Sequence, residues 1–277
     1  MKKDRSRLRV AREQIFLFLL AVLVLTYGVI YPNAAVVVSS FVRNGVWTLT
    51  NYREVLAQRV VIEEALVGRE ASLLLFADGR NYVLMPAARD HKRIGENDTG
   101  PNTGGMGTIT DVSVLDKSTQ ERVVREIVEP TLVAAREEGF AFKGVLFLGL
   151  MLTKAGPKLL EYNVRFGDPE TQAILVRLKT DLVSIFDAIY EESLGDLDVE
   201  WSAGASACVV AANKGYPGKY ESGAVIEGLD AVSDVQVFHA GTARDASGRI
   251  TATGGRVLGV TAEAERLSDA LALCYDA

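Results

Sequence analysis

Hydrophobic and polar positions divide this chain into two stretches of different character. From Gln14 to Val42 there is no Asp, Glu, Lys or Arg, and residues 15–31 are almost wholly Phe, Leu, Val and Ile, broken by Thr26 and Gly28. Pro32 and Asn33 interrupt the run before residues 34–38 resume it. About 20 apolar residues cross the hydrocarbon core of a bilayer, so residues 15–38 predict one N-terminal transmembrane helix. Lys2, Lys3, Arg5, Arg7, Arg9 and Arg12 precede it against only Asp4 and Glu13, which predicts a cytoplasmic N-terminus. A signal peptide shares the basic-then-apolar order, but the run is long and Ala34-Ala35 is a poor cleavage site. A buried core helix is the remaining alternative. The expectation is a single-pass membrane protein that meets the bilayer through residues 15–38.

Beyond residue 60 the pattern becomes that of a globular α/β (α+β) chain. Residues 60–66 and 71–77 are β-prone, and Asp78-Gly79 signals a hairpin turn into a further strand at 82–88. A polar, Gly-rich loop occupies residues 89–107. Residues 118–138 carry apolar positions at helical spacing (Val123, Val124, Ile127, Leu132 and Val133), and Pro130 starts a second helical piece. Two strands are predicted at 144–152 and 159–166, joined through Lys154-Ala155-Gly156-Pro157. Helices follow at 170–178 and 181–192. After Gly195 come short strands at 207–212, 235–239 and 256–260, then a closing helix at 263–274. A domain boundary is placed near 195–203, dividing the chain into an anchor segment (1–59), a larger α/β part (60–200) and a small C-terminal part (201–277).

Composition narrows the function classes. A net charge of −6 and a pI near 5.2 argue against a nucleic-acid partner, which needs a basic face. Two cysteines, Cys208 and Cys274, are too few for a disulfide framework or a zinc site and read as buried free thiols. A mean hydropathy of +0.14 is high for a globular enzyme, and the excess lies at the N-terminus.

Three constellations carry chemistry. Glu63, Glu64 and Glu70 set carboxylates at one strand end and the next strand's start, where backbone groups can meet an adenine edge and a carboxylate can meet ribose hydroxyls. Asp90-His91-Lys92-Arg93 followed by Thr99 to Gly107 joins basic residues to four glycines in one loop. Glycines let backbone N–H groups approach an anion, and Lys and Arg supply positive charge. In the third, strand alternation puts Glu161, Asn163 and Arg165 on one face. A carboxylate and an amide oxygen are hard ligands suited to Mg²⁺ carrying nucleotide phosphates, with Arg165 as a charge clamp on a transferring phosphoryl group. An ordinary solvated loop and a cross-strand ion-pair face are the alternatives to the second and third readings.

These segments, with Val60 to Glu64, Arg165 to Glu170 and Gly254-Gly255-Arg256-Val257-Leu258, occur in an order that resembles the phosphoribosylamine–glycine ligases, ATP-grasp enzymes of purine synthesis. The resemblance covers residues 60–277. It implies a partial ATP-grasp domain with a small β-rich C-terminal domain, using ATP with Mg²⁺ or Mn²⁺ to join glycine to phosphoribosylamine through a glycyl phosphate. By the same resemblance Glu63, Glu64 and Leu66 line the adenine site, Glu70 holds ribose, and Glu161 and Asn163 bind the metal. Arg165 and Lys92 are the catalytic candidates. Asp90, His91, Arg93, Thr103, Gly104, Gly105, Gly107 and Asp168 form the substrate and phosphate loop.

Residues 47–56 look like the stretch after the first span of ABC transporter permeases. The ligase family begins with a doubly wound domain and phosphate-clamping lysines that lie before the start of the resemblance. The expectation is therefore an incomplete ligase, inactive alone. Its rivals are a membrane-anchored nucleotide-binding remnant and a permease fragment.

Overall fold

The computed structural model describes residues 42–43, 46–47 and 65–277. Strands β1 (Val42–Arg43) and β2 (Val46–Trp47) pair antiparallel as a small hairpin. The apolar run 15–38, and with it the anticipated membrane helix, lies outside the described residues. The single-pass expectation is corrected: among the described residues no helix is long and apolar enough to cross a membrane.

The unit from Leu66 onward is organised by β3 (Gly68–Asp78) and β9 (Lys143–Thr153), which pair antiparallel along their full length. From Ala71 to Asp78 β3 is buried on both faces, which is why that stretch reads as a continuous apolar run rather than an alternating one. Leu73, Leu75 and Ala77 join Leu146, Leu148 and Leu150 on one face. They pack under α1 (Lys117–Val123), a π turn (Val124–Val128) and α2 (Glu129–Glu137), through Val123, Ile127 and Val128. Leu74, Phe76 and Phe147 point the other way, against Ile174 of α3 (Glu170–Leu175) and Ile185 and Ile189 of α4 (Leu182–Tyr190). Pro130 sits in the first turn of α2, as its missing N–H allows.

The hairpin expected at Asp78-Gly79 forms, with β4 (Tyr82–Leu84) paired to β3. Asp78 Oδ1 accepts the N–H groups of Arg80 and Asn81 at 2.8 and 2.6 Å, and Oδ2 accepts the buried N–H of Leu194 at 3.0 Å. The strand predicted over 82–88 is two pieces, because Pro86 cannot donate to a ladder; β5 (Ala88–Asp90) resumes beyond it. Inside the Gly-rich loop, β6 (Arg93–Gly95) and β7 (Thr99–Asn102) make a second hairpin. Then β8 (Gly107–Thr110) returns to the sheet beside β5.

Strand β10 (Gly156–Asn163) pairs with β9 and shifts register between Leu159 and Glu161. It ends three residues before the predicted Phe166, whose ring turns into the core edge-on to Phe76 at 6.2 Å. The sheet continues from β8 into β11 (Ala205–Ala212), β15 (Arg256–Ala264) and β12 (Gln236–His239), in the order β10-β9-β3-β5-β8-β11-β15-β12. A separate pair, β13 (Thr242–Arg244) and β14 (Ile250–Ala252), was not anticipated. Helix α5 (Leu267–Asp276) starts later than predicted, because Glu263 and Ala264 still pair with Ser206 and Ala205. Both cysteines are free and buried.

Candidate functional site

The site lies where β3, β5 and β10 face the Gly-rich loop. Glu70 near the start of β3, Asp90 at the end of β5, Lys92 beyond it and Glu161 on β10 line one small polar cavity of about 170 Å³. Glu70, Asp90 and Lys92 also line an adjoining cavity of about 230 Å³ with Arg89, Arg93 and Asp98. Lys92 Nζ is 3.2 Å from Glu70 Oε2. Burial alone would lower the Lys92 pKa, but the carboxylates of Glu70, Asp90 and Glu161 outweigh it and hold the ammonium above the ordinary lysine value.

Asp90 is the most perturbed acid of the site. Burial first, and then the carboxylate of Glu170, push its pKa up to about 7, against smaller downward pulls from Lys92, Arg256 and the His91 N–H. Its Oδ1 is buried without a hydrogen-bond partner. Glu170 is itself buried and accepts the Ser72 hydroxyl at 3.1 Å.

Glu161 can reach the cavity because its cross-strand partner is Gly149. A Cβ on residue 149 would stand 3.0 Å from Glu161 Cγ. Asn163, two residues on along β10, donates from Nδ2 to Glu161 Oε1 at 3.2 Å. Arg165 is not the third member of that face. It follows the end of β10, and its Nη1 donates to the carbonyl of Phe166 at 2.9 Å. Among the described residues no group of three or more His, Cys, Asp or Glu gathers as a metal cluster.

The Gly-rich loop is internally fastened. Thr103 donates to the Lys92 carbonyl from its N–H (2.7 Å) and its hydroxyl (2.8 Å), and Thr103 Oγ1 accepts the Gly105 N–H at 3.0 Å. His91 donates its N–H to the Gly107 carbonyl at 2.8 Å, and its Nδ1 stands 3.3 Å from that oxygen. Arg93 Nη1 donates to the Gly100 carbonyl at 2.6 Å, within the β6–β7 hairpin. Gly105 has φ +104°, and a Cβ there would meet Pro169 Cδ at 2.6 Å and Asp90 Oδ1 at 2.7 Å. Only glycine suits that position.

Residues outside the predicted set complete the framework. Arg256 at the start of β15 donates from Nη1 to the carbonyls of Gly104 (2.6 Å) and Asp168 (3.2 Å), and from Nη2 to Asp168 Oδ2 at 2.9 Å. The Tyr216 hydroxyl accepts the Gly104 N–H at 2.9 Å. Asp168, expected in the substrate and phosphate loop set, is engaged by Arg256 and by Gln172 Nε2 at 2.8 Å. Arg256 stood in a recognisable Gly-Gly-Arg motif and Ser72 interrupts an apolar run, so both left a trace in the sequence; Tyr216 left none. Of the nucleotide residues, Glu63 and Glu64 lie outside the described residues, and Leu66 lies in the irregular lead into β3.

Comparison with known proteins follows the same outline. Residues 39–171 match the model of the phosphoribosylglycinamide synthetase ATP-grasp (A) domain, and residues 206–277 match the C domain of the same family. A phosphoribosylamine–glycine ligase of Caldanaerobacter subterraneus subsp. tengcongensis is 48% identical over 216 residues, covering 78% of this chain and 52% of that protein. One from Vigna unguiculata is 49% identical over 223 residues, covering 78% of this chain and 72% of that protein. A chloroplastic one from Arabidopsis thaliana is 47% identical, over 79% of this chain and 42% of its own. The chain thus spans about half the length of most of the curated relatives it matches.

The crystal structure of the Thermotoga maritima phosphoribosylamine–glycine ligase superposes with a TM-score of 0.67 at 36% identity, covering 77% of this chain and 53% of that one. A biotin carboxylase domain of a 2-oxoglutarate carboxylase shares the fold alone, at 16% identity and a TM-score of 0.52. Two expectations are corrected here. Residues 47–56, read as permease-like, fall inside the ATP-grasp domain match that begins at residue 39. The single-pass membrane assignment finds no support among these relatives, one of which is named as chloroplastic.

Proposed function

Because the chain belongs to the phosphoribosylamine–glycine ligase family, we propose that it carries out ATP-dependent C–N bond formation between glycine and phosphoribosylamine. The observation that carries this reading is the Lys92 ammonium set among Glu70, Asp90 and Glu161 beside a glycine loop fastened from three sides. Lys92 would neutralise nucleotide phosphates, and Glu70 would take a ribose hydroxyl. Glu161 and Asn163 offer adjacent oxygen donors from one strand face, a set that fits Mg²⁺ or Mn²⁺. Bound there, the cation supplies charge neutralisation for the transferring phosphoryl group.

In this reading residues 60–200 hold the nucleotide and residues 201–277 steady the loop over it, through Arg256 and Tyr216. Glu63, Glu64 and Leu66 would frame the adenine. His91, Arg93, Thr103 and Gly107 keep the loop in shape, and Arg165 would supply a positive charge to the transferring phosphoryl group.

The reading is tested by supplying the full chain with Mg·ATP, phosphoribosylamine and glycine and following ADP release. ADP formation that depends on glycine and falls in Glu161→Gln supports it. Nucleotide affinity equal in the parent protein and in Glu70→Ala and Glu161→Gln would refute the assigned roles.

A further inference from the structure

Arg89, the middle residue of β5, carries the least committed cation around the two polar cavities. Lys92 Nζ stands 3.2 Å from Glu70, and Arg93 donates to the Gly100 carbonyl at 2.6 Å. The Arg89 guanidinium has one ionic neighbour among the described residues, Asp98, with Nη2 3.6 Å from Oδ2. That separation is beyond hydrogen-bond length. It is also the longest ion pair among the described residues. Asp98 lies in the turn of the β6–β7 hairpin, where it and Asn97 take the left-handed backbone region at φ +59° and +54°. Asn and Asp tolerate that region better than other side chains do. The turn brings a carboxylate back to face the guanidinium.

Arg89, Lys92 and Arg93 line the cavity of about 230 Å³ together with Glu70, Asp90 and Asp98. Three basic side chains thus face three acidic ones. Asp98 is the most exposed of the acids, and it alone is carried on a hairpin turn. Its withdrawal would leave the lining net positive. A carboxylate and a phosphoryl group offer an arginine fork the same pair of oxygens. The phosphoryl group carries the greater charge, and an exposed ion pair holds weakly against such a competitor. Resting on the ligase reading, in which nucleotide phosphates meet Lys92, we infer that Arg89 is a second phosphate-binding residue and that Asp98 is its internal competitor. An entering phosphoryl group takes the guanidinium, and the repelled Asp98 carries the hairpin turn away from β5.

The test titrates inorganic pyrophosphate, and separately Mg·ADP, into the full chain by calorimetry at fixed ionic strength, which holds bulk screening constant. Arg89→Gln should bind both about tenfold more weakly than the parent protein, and Asp98→Asn about tenfold more tightly. In the double variant the gain from Asp98→Asn should shrink to about threefold or less, because the residue it competes for is gone. Amide hydrogen exchange at residues 96–99 should quicken when pyrophosphate binds the parent, opposite in sign to simple protection by a ligand. With pyrophosphate, equal affinity in parent and Arg89→Gln, no gain in Asp98→Asn, or an undiminished gain in the double variant would overturn the inference. Slower exchange at residues 96–99, or no pyrophosphate binding at all, would overturn it too. The exchange measurement needs no variant, so it decides even if a variant folds poorly. The expected pattern with pyrophosphate but not with Mg·ADP would count against the nucleotide reading and leave the Arg89–Asp98 competition standing. Mg·ADP bound alike by all four proteins, with no pattern for pyrophosphate, would remove the competition and leave the ligase reading.

Discussion

Arg256 and Asp168 stand 88 residues apart in sequence, and the guanidinium grips both the side chain (2.9 Å) and the carbonyl (3.2 Å) of the aspartate. The same guanidinium holds the Gly104 carbonyl at 2.6 Å. One side chain from β15 thus fixes the glycine loop and the turn after β10 as a single body. Only a planar fork with several donors does this; a lysine ammonium cannot reproduce the geometry. Arg256→Lys should retain the fold but lose about 1–3 kcal/mol of stability. Hydrogen exchange should show residues 103–107 opening more readily, while protection in β3 and β9 stays unchanged.

Lys92 and Glu70 are each about half exposed, at 46%. An ion pair in that setting contributes about 0–1 kcal/mol, so Lys92→Met should leave the thermal unfolding midpoint almost unmoved. Nucleotide affinity should nevertheless fall about tenfold, because the variant removes the cation that three carboxylates hold charged. A calorimetric titration with Mg·ATP beside a melting curve separates the two effects.

Asp78 joins the β3–β4 turn to the Leu194 backbone. Burial would raise its pKa, but hydrogen bonds from Asn81, Arg80 and Leu194 prevail and hold it below the usual aspartate value. Its contribution is present above the unfolded pKa and is lost as pH falls through the folded one. Asp78→Ala leaves the buried Leu194 N–H without an acceptor and should cost about 2–4 kcal/mol at pH 7. The gap from the parent protein in denaturant titrations should narrow as the medium becomes strongly acidic.

Asp90 runs the other way. Its folded pKa of about 7 lies above that of an unfolded aspartate, so between about pH 4 and 7 the native state binds the extra proton. Stability should decline as pH rises through that window, as ionised Asp90 faces Glu170 with only the committed Lys92 and Arg256 nearby. Asp90→Asn removes the titration, and by pH 8 should be more stable than the parent by on the order of 2 kcal/mol. Urea unfolding from pH 5 to 8 measures the crossing. A parent protein whose stability is level across that range contradicts the assignment.

Gly105→Ala places a methyl group against Pro169 and Asp90 in a backbone conformation with φ +104°. The strain and the clash together should lower stability by about 1–3 kcal/mol. Gly139→Ala, at φ +87° with open space around it, should cost less. Comparing their melting temperatures separates steric crowding from backbone strain.

Much of the architecture was legible because its signals are local. The apolar run of β3, the Asp78-Gly79 turn, the helix restarted at Pro130 and the β9–β10 hairpin each depend on a few neighbouring residues. Glu161 and Asn163 share a face because a strand repeats every two residues. Where local pattern met a tertiary demand, the prediction failed. Arg165 left the strand because Phe166 turned into the core against Phe76. Glu263 and Ala264 stayed in β15 because Ser206 and Ala205 pair with them.

From the sequence alone came most of the order of elements, the glycine loop and the placement of Glu161 and Asn163 on one strand face. The tertiary structure decided which charges are committed and which are open. Arg256 is a latch and Asp90 Oδ1 has no hydrogen bond because strands distant in sequence meet at the loop, and burial there removes the water that would otherwise satisfy every polar group alike.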